Sequence, residues 1–231
     1  MIQIQNVSAL LVKQLKDTLK NMPVMMLFIV YPIIALVMTQ AMKGQAGSPE
    51  FFIAIFATMH CVFTAIVSTA SILSEEKENN TLRVLIMSNV TLREYFISVG
   101  GFILLSTLVT GSAFLLAADK TLSESIIFLA SLSCGCLISI IAGICIGLYA
   151  HNASAASGMA VPFAMVFAFL PMLSHFNKGI ESVARFTYSQ QISYLFSGKQ
   201  LTLFGACVIV ISFVLFVLLA TYLYRRSLTT Q

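Results

Sequence analysis

Six long apolar runs determine what this chain can fold into. They lie at 23–42, 51–73, 95–118, 125–149, 158–174 and 201–224, and none contains Asp, Glu, Lys or Arg. A helix of about 20 mainly apolar residues crosses the hydrocarbon core of a bilayer and satisfies its own backbone hydrogen bonds. The sequence therefore predicts an all-α polytopic membrane protein, in which 1–231 forms a single transmembrane domain of six transmembrane helices.

The composition agrees with this fold class and excludes several functions. Only 10% of the residues are charged, compared with about 25% in soluble domains. The net charge of +4 is small and spread over several loops, so we expect no nucleic-acid partner. The five cysteines lie inside apolar runs and form no C-x-x-C pair, which predicts neither a disulfide framework nor a metal site.

Two further segments are predicted to be helical but not to span the membrane. Residues 1–22 place apolar side chains on one arc and Lys13, Lys16, Asp17 and Lys20 on the other, as in an amphipathic helix lying in the interface. Residues 175–200 are expected to form a short outer hairpin between spans 5 and 6. Asn177 would cap a helix through Phe186, and Tyr188, Tyr194 and Phe196 suit the headgroup zone.

The distribution of basic residues predicts the orientation. Eight of the 13 Lys and Arg residues fall in segments on one side of this topology and five on the other. Because cytoplasmic loops carry the excess of Lys and Arg, both termini and residues 74–94 are expected in the cytoplasm.

The polar segment 74–95, between the second and third runs, holds seven of the chain's 22 Asp, Glu, Lys and Arg residues. The second span is expected to continue through Glu78, and Asn79–Thr81 to break that helix and cap a new one. Residues 81–87 form a short amphipathic piece whose Leu82, Leu85 and Ile86 would be exposed for burial against a partner. A turn at 88–90 and a capping box at Thr91–Glu94 would lead into the third span. The alternative is a plain loop lying on the membrane.

The pattern E-K-E-x-x-T-L-x-x-L-x-x-S-x-V, from Glu76 to Val90, resembles the cytoplasmic segment of ABC-2 type transporter permeases. In that family the segment holds the coupling helix that seats in the ATPase subunit. The six spans, the N-terminal helix and the outer hairpin match that architecture as well. Two positions depart from the family pattern, since Asn80 stands where Gly is usual and Asn89 where Pro is usual. The resemblance implies ATPase-coupling roles for Glu76, Glu78, Thr81, Leu82, Arg83, Leu85, Ser88 and Val90.

The energy source is expected to lie outside this chain. No G-x-x-x-x-G-K-[ST] phosphate loop occurs, and Gly198–Lys199 lacks both the preceding glycine and the following hydroxyl. The chain is thus not expected to be an enzyme or to hold a cofactor. The resemblance implies two ABC ATPase subunits that bind ATP and Mg, a second permease copy or homologue, and a place in a bacterial plasma membrane.

The expected function is that of the transmembrane permease subunit of an ATP-driven exporter. The absence of charge from the runs favours a partly apolar substrate, such as an antimicrobial peptide, a drug or a lipid. The polar stripe of the second span and two aromatic residues of the fifth are predicted to line its cavity: Thr58, Cys61, Thr64, Ser68, Phe163 and Phe167. The alternatives are an ATP-independent channel or secondary transporter and a non-transporting immunity or scaffold protein.

Overall fold

The computed structural model describes residues 3–41, 49–88, 90–118 and 120–229. Within these ranges the chain is helical and contains no strand. A π-helical turn at His60–Thr64 joins two of the helices without a break. The α-helices in chain order are α1 Ile4–Lys20, α2 Met22–Ala41, α3 Pro49–Met59, α4 Ala65–Glu78, α5 Thr81–Met87, α6 Leu92–Gly111, α7 Ala113–Ala117, α8 Leu122–Tyr149, α9 Ala153–Ser174, α10 Lys178–Ala184, α11 Tyr188–Phe196 and α12 Leu203–Thr229.

The described part of the chain has six helical stretches long and apolar enough to cross a membrane, which confirms the predicted number. They are Met22–Ala41, Glu50–Glu78, Leu92–Ala117, Leu122–Tyr149, Ala153–Ser174 and Leu203–Arg226. The fifth is longer than the predicted 158–174. Its helix begins at Ala153 because the Asn152 side chain caps it, accepting from the Ala155 N–H at 2.7 Å.

Residues 1, 2, 42 and 89 fall in segments for which we made predictions but lie outside the described residues.

The loops collect at two ends of the bundle. We call the end that carries α1 and α5 the α5 end, and there Lys77 contacts the last carbonyls of α8. We call the opposite end the α10 end, and there the rings of Phe51 and His175 pack with centroids 4.9 Å apart. The second spanning stretch is the most buried of the six and the last is the least.

Small residues of α8 bring it into close contact with the second span. A Cβ atom on Gly143 would lie 2.7 Å from the carbonyl oxygen of Ile66, and one on Gly147 would lie 2.9 Å from Leu73 Cβ. A Cβ on Gly135 would lie 3.0 Å from Cys61 Sγ. These glycines therefore permit backbone approach, as small residues do in membrane bundles.

Capping side chains fix several helix starts. Thr91 and Glu94 form the predicted reciprocal capping box at the start of α6. Thr121 and Glu124 form a second box at the start of α8, which the sequence analysis missed. Asn177 caps α10 as predicted, although the helix ends at Ala184 rather than Phe186.

The hairpin at the α10 end is more deeply buried than its sequence suggested. Tyr188 and Phe196 are fully buried in the bundle, so their rings do not face lipid headgroups as we predicted. The burial of Tyr188 is possible because its hydroxyl pairs with Ser139 Oγ at 2.9 Å. Tyr194 is half-buried and donates to Glu181 Oε1 at 2.9 Å. Burial, assisted by this hydrogen bond, raises the pKa of Tyr194.

The glycine contacts yield a stability prediction. Gly143→Ala should destabilise the bundle by about 1–3 kcal/mol, because the new methyl group would overlap a backbone carbonyl. Gly158→Ala is the matched control, since nothing lies within 4 Å of its Cβ position, and it should be neutral or stabilising by up to about 1 kcal/mol. Thermal unfolding in detergent measures both; equal shifts for the two variants would refute the close contact.

Candidate functional site

The candidate site is the α5 end of α4 together with α5 itself. Residues Glu75–Glu78, which we call the charged segment, end α4. Successive residues of an α-helix point about 100° apart. Four charged residues in a row therefore point around the whole helix, and each can meet a different neighbour.

The first half of the charged segment binds α1. Glu76 is buried, and its Oε1 accepts from Lys13 Nζ at 2.7 Å and from Gln14 Nε2 at 2.6 Å. The Glu75 side chain is exposed, and its Oε2 accepts a long bond of 3.5 Å from Asn21 Nδ2, between α1 and α2. The N-terminal helix is thereby attached to the end of the second span.

The second half of the charged segment, Lys77 and Glu78, forms hydrogen bonds with the ends of two other helices, α8 and α9. Lys77 Nζ donates to the carbonyls of Gly147, Leu148 and Ala150 at 3.1, 2.9 and 2.7 Å. Glu78 Oε2 accepts from the N–H of Ala153 at 2.8 Å. A cation thus lies at the C-terminus of α8 and an anion at the N-terminus of α9, the arrangement that helix dipoles favour.

Asn80 reverses the chain between α4 and α5. Its φ is +57°, the left-handed conformation that glycine and asparagine adopt most readily. The Asn80 N–H bonds the carbonyl of Lys77 at 3.2 Å, and Thr81 Oγ1 donates to the carbonyl of Glu76 at 3.1 Å. These bonds satisfy carbonyls left free where α4 ends. The asparagine at this position is therefore compatible with the turn.

The described side chains of α5 divide between two faces. Leu82 and Leu85, which we predicted to be exposed for a partner, instead pack partly buried against the apolar core. Val84 and Met87 are the outward residues, with 63% and 79% of their surfaces exposed. The side chains of Arg83 and Ile86 lie outside the described part of the chain.

The C-terminal end of α5 is closed locally. Ser88 Oγ donates to the carbonyls of Val84 and Leu85 at 3.1 and 2.9 Å. The Val90 N–H bonds the Leu85 carbonyl at 3.1 Å. Ser88 and Val90 thus shape the turn after α5.

Glu94 is a further residue of this end, and the sequence revealed only one of its two partners. One of its oxygens accepts from the Thr91 N–H at 2.8 Å and the other from the Gln3 N–H at 2.6 Å. The second bond serves the start of α1, where Gln3 offers no side-chain cap. One carboxylate therefore satisfies the beginnings of two helices, a role that sequence patterns indicate only for the nearer one.

The residues predicted to line a cavity lie elsewhere, in the core of the bundle. Thr58, Cys61, Thr64 and Ser68 are fully buried. Thr58 and Ser68 donate to carbonyls of their own helix, and Thr64 donates to the Leu27 carbonyl at 2.7 Å. These four side chains therefore have no accessible surface in the single chain.

The two aromatic residues of the fifth span are packed as well. The rings of Phe163 and Phe167 lie 4.8 Å apart, and Phe167 stacks on Tyr188 at 5.6 Å. Nearby in the core, His60 is buried with Nε2 at 3.2 Å from the Thr107 carbonyl. Its geometry is that of a packing residue with hydrogen bonds.

No known family model matches the chain, and no curated protein matches it either. Among the described residues, no group of three or more His, Cys, Asp or Glu side chains could hold a metal ion. The function has to be inferred from the residues at the α5 end.

The three hydrogen bonds of Lys77 can be tested by removing its charge. Lys77→Met keeps most of the side-chain volume but leaves the end of α8 without donors, which should cost about 1–3 kcal/mol of stability. Lys16→Met, on an exposed surface of α1, is the matched control and should change little. Thermal unfolding in detergent distinguishes them; a Lys77→Met protein that melts like the control would contradict the capping role.

The backbone of Asn80 gives a second test. Asn80→Gly should retain wild-type stability, whereas Asn80→Val should lose about 1–2 kcal/mol because a β-branched residue resists positive φ. Asn79→Val, at the neighbouring position with φ of −80°, controls for the loss of an exposed amide. The positive φ would be disproved if the two valine variants were equally stable.

Proposed function

We propose that this chain is the transmembrane permease subunit of an ATP-driven ABC-2 type exporter, and that α5 is its coupling helix. One observation carries the proposal. A short helix between the second and third spans presents Val84 and Met87 outward and is joined through the charged segment to three other helices. This is the construction expected of an element that receives force from a partner.

The outward face of α5 suits burial in a groove. Burying a Val or Met side chain stabilises a complex by about 1.5–3 kcal/mol each. The packing of Leu82 and Leu85 against the core adds to this, because a helix that is already held in place loses little conformational freedom on docking. Leu82 and Leu85 hold α5 against the bundle, so a push on Val84 and Met87 is passed to the spans.

The residues predicted for coupling divide into four roles. Glu76, Glu78 and Thr81 transmit displacement to α1, α9 and the end of α4 through their hydrogen bonds. Leu82 and Leu85 hold α5 against the core, and Ser88 and Val90 shape the turn that follows it. Arg83 stays a predicted contact with the ATPase partner. The resemblance of the motif to ABC-2 permeases is the basis for naming that partner.

The surface of α1 supports a position at the membrane interface. Leu10, Gln14 and Thr18 face the protein, whereas Val12, Leu15 and Leu19 are exposed. A soluble environment would favour the reverse, with the apolar residues inside. We infer that Leu15 and Leu19 contact lipid on the cytoplasmic side of a bacterial plasma membrane.

The proposed assembly contains two ATPase subunits, which bind ATP and Mg, and a second permease copy or homologue. Its substrate would be partly apolar, such as an antimicrobial peptide, a drug or a lipid. The buried stripe from Thr58 to Ser68, with Phe163 and Phe167, would border a path only after the surrounding helices separate. ATP-driven displacement of α5 would supply that separation.

Purification of the tagged chain from its native membranes in mild detergent tests the assignment. We expect a phosphate-loop ATPase to co-purify, and Met87→Glu to lower its recovery about tenfold, because a charge would be forced into the groove. Val183→Glu, an equally polar change at an exposed site on α10, should leave recovery unchanged.

The same experiment separates the alternatives. A channel or secondary transporter would be recovered without any ATPase, and a scaffold or immunity protein with a toxin or assembly partner instead. Wild-type recovery and ATP hydrolysis in the Met87→Glu protein would refute α5 as the coupling helix even if an ATPase were bound.

A further inference from the structure

A cleft of about 700 Å³ lies at the α10 end, far from the charged segment. It is formed by the first turns of α8, the first turns of α12 and the 197–202 turn that precedes α12. Its volume falls in the range of sites that hold small ligands. Neither the proposed coupling role nor the packing of the bundle accounts for it.

The walls of the cleft are apolar, and the cleft is open between α8 and α12. Ile127 and Ala130 of α8 face the cleft together with Ile209 and Val210 of α12. Ile127 and Val210 keep 55% and 58% of their surfaces exposed. Because both belong to spanning helices, this opening faces the hydrocarbon of the bilayer. A hydrocarbon chain could enter it without leaving the membrane.

Two lysines border the mouth of the cleft. Lys120 precedes α8 and lies over the Phe128 ring at 5.9 Å, whereas Lys199 lies over the Tyr194 ring at 4.2 Å. In the described part of the chain, neither ammonium group lies within 4 Å of a carboxylate oxygen. Both therefore keep hydrogen-bond donors for an anion.

Two acidic residues also border the mouth, so its charge is mixed rather than purely basic. Glu124 Oε2 accepts from the N–H and the hydroxyl of Thr121 at 2.8 and 2.9 Å, so that carboxylate serves the start of α8. Glu50 is the other acidic residue of the lining and is exposed at the start of the second span. A headgroup that carries a phosphate and a hydroxyl or amine would match this mixture.

We propose that the cleft binds one glycerophospholipid from the leaflet at the α10 end. Its phosphate lies between Lys120 and Lys199, and one acyl chain lies in the groove between α8 and α12. A transmembrane helix of another protein is a poorer occupant, because acidic side chains are rare in spanning helices and it would seldom offer an anion to the lysines. The binding is independent of the proposed export function, since an inactive chain would still hold the lipid.

Native mass spectrometry of the purified chain tests this proposal with three lipids: phosphatidylglycerol, phosphatidylethanolamine and the phosphate-free dioleoylglycerol. Wild-type protein should retain the two phospholipids in preference to dioleoylglycerol. The double substitution Lys120→Gln and Lys199→Gln should lower phospholipid retention about tenfold, as expected for losing charge-assisted contacts. Lys178→Gln, at an exposed lysine of the same end but outside the cleft lining, should retain wild-type binding.

A second variant tests the acyl-chain groove separately. Ala130→Trp fills the groove from an exposed position and should lower retention of all three lipids without changing the melting temperature. Phospholipid retention that is unchanged in the double lysine variant, or equal retention of dioleoylglycerol by the wild type, would overturn the phosphate site. Unchanged retention in Ala130→Trp would overturn the groove, and a stoichiometric protein in place of lipid would overturn the occupant.

Discussion

The free backbone groups at helix termini need hydrogen-bond partners, and at the α5 end charged side chains supply them. Much of the arrangement at this end follows from that requirement. A helix terminus leaves backbone groups without partners, which is costly where water is scarce. Lys77 serves the end of α8, Glu78 the start of α9, and Glu94 the starts of α1 and α6. The bonds of Lys77 and Glu78, and the bond between Glu94 and Gln3, join elements distant in sequence. Closing these termini therefore also fixes how the helices are placed relative to one another.

The two ends of the bundle use their charges differently. At the α5 end, Lys13 pairs with Glu76, and Lys77 donates hydrogen bonds to backbone carbonyls of the chain. At the α10 end, Lys120 and Lys199 rest on aromatic rings and keep their donors. Ion pairs and hydrogen bonds within the chain hold helices together, whereas an ammonium group with no carboxylate oxygen within 4 Å in the described residues can exchange water for a ligand. This contrast connects the proposed transmission at one end with the proposed lipid site at the other.

Features set by neighbouring residues were predictable from the sequence, and those set by distant ones were not. The six spans, the box at Thr91–Glu94 and the Asn177 cap depend on local pattern, and each is present. The partners of Glu76 and Lys77 lie more than 60 residues away along the chain, and no periodicity identifies them. Leu82 and Leu85 were assigned to the wrong face because a seven-residue helix shows its inner side only once its neighbours are known.

The π-helical turn at His60–Thr64 affects how the sequence of the second span should be compared with related sequences. Such a turn accommodates one extra residue, so the helical phase before it and the phase after it differ by about 100° from a single regular helix. A wheel drawn through Thr58 and Ser68 as one helix therefore combines two separate faces. Relatives lacking the extra residue would align with a one-residue gap at this turn and keep both apolar patterns intact.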